Sequence, residues 1–225
     1  MKREYGRSER YLILGTTIIL LVLVNLVMER LIPTSFDKIT GDVISRVNIT
    51  QTLEANCNFT LSEGSNLVSF FCIPNAASRN GVIGSLESLE AVFEYQEGQA
   101  DSWKTYNPHL PAWAIQDLNL MSRTKGYWIR MSNNESFFLA GGLRVPTNIP
   151  LQSGWNLAGY PANRIKGVNE SFLSIEGNFT EVRTYLPISG TVIGYVPGIG
   201  GALNQTEPYY GYWINATVSG VWVVG

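Results

Sequence analysis

The sequence predicts an α+β, β-rich chain: an N-terminal transmembrane helix followed by two tandem, mostly antiparallel β modules, each with a short helix. Three observations predict it. Residues 11–28, YLILGTTIILLVLVNLVM, form an uncharged apolar run. The tetrapeptide Gly-Tyr-Trp-Ile occurs twice, at 126–129 and 211–214. Around each copy lie short aromatic and β-branched runs, bounded by Gly, Pro and polar turns, as strands are.

Composition narrows the partners. Hydrophobic residues make up 45% and charged residues 15% of the 225-residue chain, enough apolar material for packed cores and too little charge for disorder. A net charge of −2, with no basic run beyond the first ten residues, argues against nucleic acid.

Taken in order, residues 1–10 carry Lys2, Arg3, Arg7 and Arg10. As a helix, residues 11–28 would rise about 27 Å, close to the hydrocarbon core of a bilayer. Only Arg30 and Lys38 follow closely, so the positive-inside rule predicts a cytoplasmic tail at 1–10, a transmembrane signal anchor at 11–28 and an extracellular remainder. The competing readings are a buried soluble helix, a cleaved signal peptide, for which "VMERLIPTS" offers the wrong residues, and a pilin-like cut after Gly6. Residues 29–56 read as a juxtamembrane stalk. Within them "FDKITGDVISRV" has helical spacing, whereas "VNITQTLEANCNFTL" looks strand-like and could be donated to the first module or to a neighbour. The modules are expected at 57–145 and 146–225.

Cys57 and Cys72, the only cysteines, flank "NFTLSEGSNLVSFF". This reads as two strands about the turn Ser62-Glu63-Gly64-Ser65. With Leu61 facing Val68, Phe59 faces Phe70 and Cys57 faces Cys72, near disulfide distance. An oxidising exterior favours the bond; two buried free thiols are the alternative. Acceptors of the N-x-S/T type stand at Asn48, Asn58, Asn134, Asn169, Asn178, Asn204 and Asn215, all beyond the apolar run. They read as glycosylation sites or as ordinary turn chemistry.

The duplication extends beyond Gly-Tyr-Trp-Ile. Leu61, Gly64, Asn66 and Leu67 recur as Leu151, Gly154, Asn156 and Leu157, offset by 90, as do Val92 and Tyr95 at Val182 and Tyr185. Tyr106 and Pro108 recur as Tyr195 and Pro197, offset by 89; Leu118 recurs as Leu203, offset by 85. The matches stay in order with a slowly drifting offset, so the chain is a tandem repeat. Each unit reads as a strand after a Gly turn and a helix (Ile83, Leu86, Leu89; Val168, Phe172, Ile175). A hairpin follows ("AVFEYQ" with "SWKTYNP"; "EVRTYLP" with "TVIGYVP"), then the "GYWI" strand and a closing strand ("FFLAG"; "VWVVG"). Two such units are expected to melt semi-independently.

Gly126 and Gly211 are expected to supply a backbone angle closed to other residues. In a strand, Trp128 faces away from Tyr127 and Ile129, so one face fills a core and the other covers a loop or stacks sugars. The stacking candidates are Trp128, Trp213, Tyr127 and Tyr212. Trp103, Trp113, Trp155 and Trp222 have no Trp counterpart in the other copy, and Ser65 stands where the second copy has Trp155.

Repeats reading "GWNL-x-GYP", then "Y…W-x-Y-x-P", then "GYWI" and a closing apolar strand recur in surface and secreted proteins of archaea and bacteria. The chain resembles them over residues 61–225, with "SGWNLAGYP" in its second copy. The resemblance implies extracellular accessory modules with no shared catalytic residues. The first copy departs at "SNLVSFF", which lacks the Trp and the Gly-Tyr-Pro ending.

Little else suggests chemistry. His109, the sole histidine, lies between prolines in "NPHLP" without a nucleophile motif. No spacing suits zinc or calcium, and "PGIGG" at 197–201 lacks the lysine of a phosphate loop. The reading is therefore a single-pass cell-membrane protein, extracellular beyond the span, structural or adhesive in role. It is not an enzyme and has no cofactor. The alternative is a carbohydrate-binding or sensing module presenting aromatics to envelope glycans. Partners are the membrane and either such glycans or other surface proteins, with the oligomeric state open.

Overall fold

The computed structural model describes residues 51–111 and 113–225. The strands of the first repeat are β1 (Gln51–Leu61), β2 (Gly64–Ser69), β3 (Ala77–Ser78), β4 (Leu89–Tyr95), β5 (Trp103–Tyr106), β6 (Leu120–Met121), β7 (Gly126–Met131) and β8 (Glu135–Val145). Those of the second are β9 (Thr147–Leu151), β10 (Gly154–Gly159), β11 (Lys166–Gly167), β12 (Phe179–Leu186), β13 (Thr191–Val196), β14 (Gly200–Gly201), β15 (Gln205–Thr206), β16 (Gly211–Ala216) and β17 (Gly220–Val224). Both repeats share one plan. A sheet runs β2-β7-β4-β5 in the first and β10-β16-β12-β13-β14 in the second. A two-stranded ribbon, β1 with β8 or β9 with β17, packs over it, and all these pairings are antiparallel.

The expected fold class needs two corrections. Among the described residues helix is confined to α1 (Arg79–Ile83), α2 (Val168–Ser171) and a 3₁₀ turn at Leu173–Ile175, too little for a helical layer, so their architecture is β rather than α+β. In the first copy Ile83 ends the helix and Leu89 already opens β4. All three residues read as helical there are buried, and that shared burial mimicked a helical period. Second, no helix among the described residues is long and apolar enough to cross a membrane. The run at 11–28 lies outside the described residues, as do the tail 1–10, stalk residues 29–50 and Asn48. The strand-like end of the stalk is β1, which begins at Gln51 and belongs to the first repeat.

Cys57 and Cys72 form a disulfide, Cα to Cα 6.3 Å, but the hairpin inferred to carry it does not form. β1 pairs with β8, placing Cys57 opposite Leu139, while β2 pairs with β7. The facing relation survives across layers instead. Phe59 meets Phe70 at 4.8 Å between ring centroids, and the disulfide ties the ribbon to the chain leaving the sheet. The turn between β1 and β2 causes this. Gly64 has φ +84°, a left-handed angle, and the buried Asn66 amide accepts from Ser62 N (2.8 Å) and donates to Ser62 O (2.7 Å). Gly154 (φ +98°) and Asn156 repeat the device, with Gln152 as partner at 2.8 Å both ways. The chain is thereby turned from ribbon to sheet in each copy.

The core of each repeat lies between ribbon and sheet. β1 buries Cys57, Phe59 and Leu61 against Val92, Tyr127 and Ile129; β9 and β17 bury Ile149, Leu151, Trp222 and Val224 against Val182, Tyr212 and Ile214. Period-two alternation sets this inward face in each strand.

The repeats meet through the outer faces of their sheets, and equivalent positions exchange partners. Ser69 N donates to Tyr209 O (2.8 Å), and its counterpart Gly159 N donates to Thr124 O (3.0 Å), the counterpart of Tyr209. Val68 bridges to Tyr210, and Lys125 to Ala158. Such reciprocity marks an approximate two-fold axis. Gly126 and Gly211 lie on the crossing. Neither has a positive φ, which corrects the reason expected for them. A Cβ on Gly126 would stand 2.8 Å from Leu157 Cδ1 and 3.0 Å from Ala158 O; one on Gly211 would stand 3.0 Å from Val68 O. Close approach requires these glycines.

Candidate functional site

The "GYWI" strands β7 and β16 place each aromatic. Tyr127 and Tyr212 point into the two cores and are buried, so neither is open to a ligand, correcting their candidacy for stacking. Each hydroxyl accepts a backbone N–H, from Ser122 (2.6 Å) and from Glu207 (2.8 Å). Burial pushes both phenols well above their ordinary pKa, so they stay neutral donors and acceptors. Trp128 and Trp213 point to the opposite face and are half-buried. Each packs on a tyrosine of the other repeat: Trp128 on Tyr185 at 5.2 Å, Trp213 on Tyr95 at 5.1 Å. The recurring tryptophan is thus first an inter-repeat contact.

Beside Trp128 the outer face of the first sheet opens into a groove of about 590 Å³. Cross-strand neighbours build it. Phe93 on β4 stands between Trp128 on β7 and Thr105 on β5, and Ser65 on β2 faces Arg130 on β7. Trp103, 40% exposed, forms one wall. Phe93 and Thr105 are half-buried, and Ser65 and Arg130 are exposed. Arg130 is fixed by Glu90 at 2.7 Å. The groove is therefore an aromatic floor with hydroxyl and guanidinium groups on its rim.

The second repeat fills the same place. Trp155 replaces Ser65, and Arg183 replaces Phe93 with its guanidinium 5.2 Å over the Trp155 ring. Glu181 clamps that guanidinium at 2.6 and 2.8 Å, a bond that raises the Arg183 pKa further. What remains is a smaller cleft of about 270 Å³ between the repeats, with Trp128, Trp155, Tyr185 and Trp213 among its walls. The single-copy serine at 65, a mismatch visible in the sequence, is what opens the groove. Phe93, Thr105 and Arg130 escaped sequence reading because their adjacency depends on strand order.

The other candidates fall elsewhere. Asn58, Asn134, Asn169, Asn178 and Asn204 are exposed, whereas Asn215 is half-buried within β16, opposite Trp155 and Glu181. The hydroxyls of two acceptor motifs, Ser171 and Thr206, hydrogen-bond each other in the interior and so have a packing reason to be present. His109 is exposed, with Nε2 3.2 Å from Leu89 O. Among the described residues no three His, Cys, Asp or Glu side chains gather as metal ligands would. No family model matches the chain, and no curated protein or solved structure shows significant similarity to it.

Proposed function

We propose that the chain is an outward-facing adhesive module that binds carbohydrate, with the aromatic groove of its first repeat as the ligand site. One observation carries this reading: Trp103, Phe93 and Trp128 line an open groove rimmed by Ser65, Thr105 and Arg130. The apolar faces of a pyranose stack on aromatic rings while its hydroxyls take polar partners at the rim. The groove volume falls within the roughly 300–1,000 Å³ of small-ligand sites. A disulfide favours an oxidising, extracytoplasmic setting. The binding role is preferred over a purely structural one because Trp103 remains 40% exposed, and the second repeat supplies the filled, purely structural version of the same face.

The test is a glycan-array screen followed by fluorescence titration of the best ligand. Ser65→Trp copies the residue of the second repeat and should abolish binding while leaving the fold intact by circular dichroism. Trp103→Ala should weaken binding about tenfold or more, the stacking loss typical of an aromatic platform. Unchanged affinity in a folded Ser65→Trp protein would rule the groove out.

A further inference from the structure

Where β8 hands over to β9, a separate polar cleft of about 250 Å³ is lined by Asn75, Arg123, Arg144, Thr147 and Asn148 together with Pro146. Arg123 forms its floor and is only 2% exposed. Its Nη2 donates to Gly142 O at 2.8 Å, but Nε and Nη1 have no acceptor and are shielded from water. Arg144 stands at the mouth, exposed, adding a second positive charge. Its main chain is fixed by Thr147, whose hydroxyl donates to Arg144 O at 2.6 Å. The side chains of Asn75 and Asn148 stand exposed at the rim.

A buried guanidinium needs acceptors, and an uncompensated one is costly. Here the charge that acts on it, Arg144, is of like sign, and no carboxylate lines the cleft among the described residues. Burial first, and Arg144 second, pull the Arg123 pKa down to about 10, so it remains cationic at neutral pH. The corresponding position in the second repeat is Pro208, so the feature occurs once.

We infer that this cleft is a binding site for a compact oxyanion, a carboxylate, sulfate or phosphate group, held between Arg123 at the floor and Arg144 at the mouth. Nε and Nη1 are closed to solvent as the side chain lies, so an anion oxygen would satisfy them once the Arg123 guanidinium turns towards the cleft. It also separates two cations that otherwise repel. Guanidinium groups suit this task because they offer several donors in a planar array.

The test uses the full 225-residue chain. Sodium sulfate, inorganic phosphate and acetate are titrated separately at constant ionic strength, with chloride as the balancing salt, and the melting temperature is followed. At least one oxyanion should raise it along a saturable curve. Saturation by acetate alone assigns a carboxylate, and saturation by sulfate or phosphate a tetrahedral group. Arg144→Gln, an exposed change, should keep the fold and weaken the response tenfold or more. Arg123→Lys keeps a charge but loses the planar array and should do likewise. Ser65→Trp, in the aromatic groove, should leave the response untouched. Absence of any saturable rise beyond chloride, or an unaltered midpoint in Arg144→Gln, overturns the inference.

Discussion

At the scale of single residues, the glycines on the crossing and one carboxylate give sharp expectations. A Cβ on Gly159 would stand 2.4 Å from Arg123 O and 2.7 Å from Lys125 O, both backbone atoms of the other repeat. Gly159→Ala must therefore push the repeats apart and should cost about 3 kcal/mol or more in urea denaturation. Gly220→Ala, with open space at its Cβ, is the near-neutral control. Glu135 illustrates pH linkage. Slight burial works to raise its pKa, but the backbone N–H groups of Ser88 (2.8 Å) and Glu87 (3.0 Å) outweigh this, and the net value lies below the ordinary carboxylate range. Its contribution is present above the unfolded-state pKa and is lost as pH falls through the lower folded value. Glu135→Gln should cost about 1 kcal/mol at pH 7, the figure for a charged hydrogen bond discounted for exposure. Urea curves below the carboxylate range should show no difference from the parent protein.

At the scale of elements, β17 closes the second repeat. Trp222 is fully buried, stacks on Phe172 at 4.8 Å and donates Nε1–H to Ser171 O at 2.7 Å. Trp222→Ala should cost about 3–5 kcal/mol, by lost burial and the cavity left behind, read as a shift in the urea midpoint. Strands such as β7 and β16 were legible in the sequence because Tyr127, Trp128 and Ile129 alternate faces over a run bounded by glycine and polar turns. The β4–β5 and β12–β13 hairpins were legible because their partners are close in sequence. The partner of β1 was not. Local spacing pointed to β2, whereas pairing with β8 spans the whole repeat and depends on the out-of-plane turn at Gly64 and Asn66. The groove was not read from the sequence: the mismatch of Ser65 with Trp155 was visible there, but strand order was needed to bring Phe93 and Thr105 beside Trp128.

For the whole molecule, the expectation of semi-independent modules gives way to a coupled pair. Tyr209 of the second repeat packs into the first core, 4.9 Å from Phe59 and 5.1 Å from Phe71 between ring centroids. Leu67 and Leu157 are both buried at the crossing. Calorimetry of residues 51–225 should therefore show one transition, with van't Hoff and calorimetric enthalpies in agreement. Two resolved transitions would show that the interface is too weak to couple the halves. Reduction of the Cys57–Cys72 bond, which closes a loop of sequence separation 15, should lower the stability of the whole unit by about 3 kcal/mol while preserving the single transition.

The two ribbons carry a mechanical consequence. Gln51 lies opposite Val145 and Val224 lies opposite Thr147, so the N-terminal end of β1 and the C-terminal end of β17 both lie beside Pro146. Tension drawn through those ends loads the ladders one rung at a time, as a zipper opens, because antiparallel hydrogen bonds stand perpendicular to the strands. β17 has no covalent stop and should peel at low force. β1 is arrested at Cys57, after releasing about 20 Å of chain at roughly 3.3–3.6 Å per residue. In single-molecule pulling, a short extension that ends abruptly in oxidised protein and runs on under reductant would register that latch.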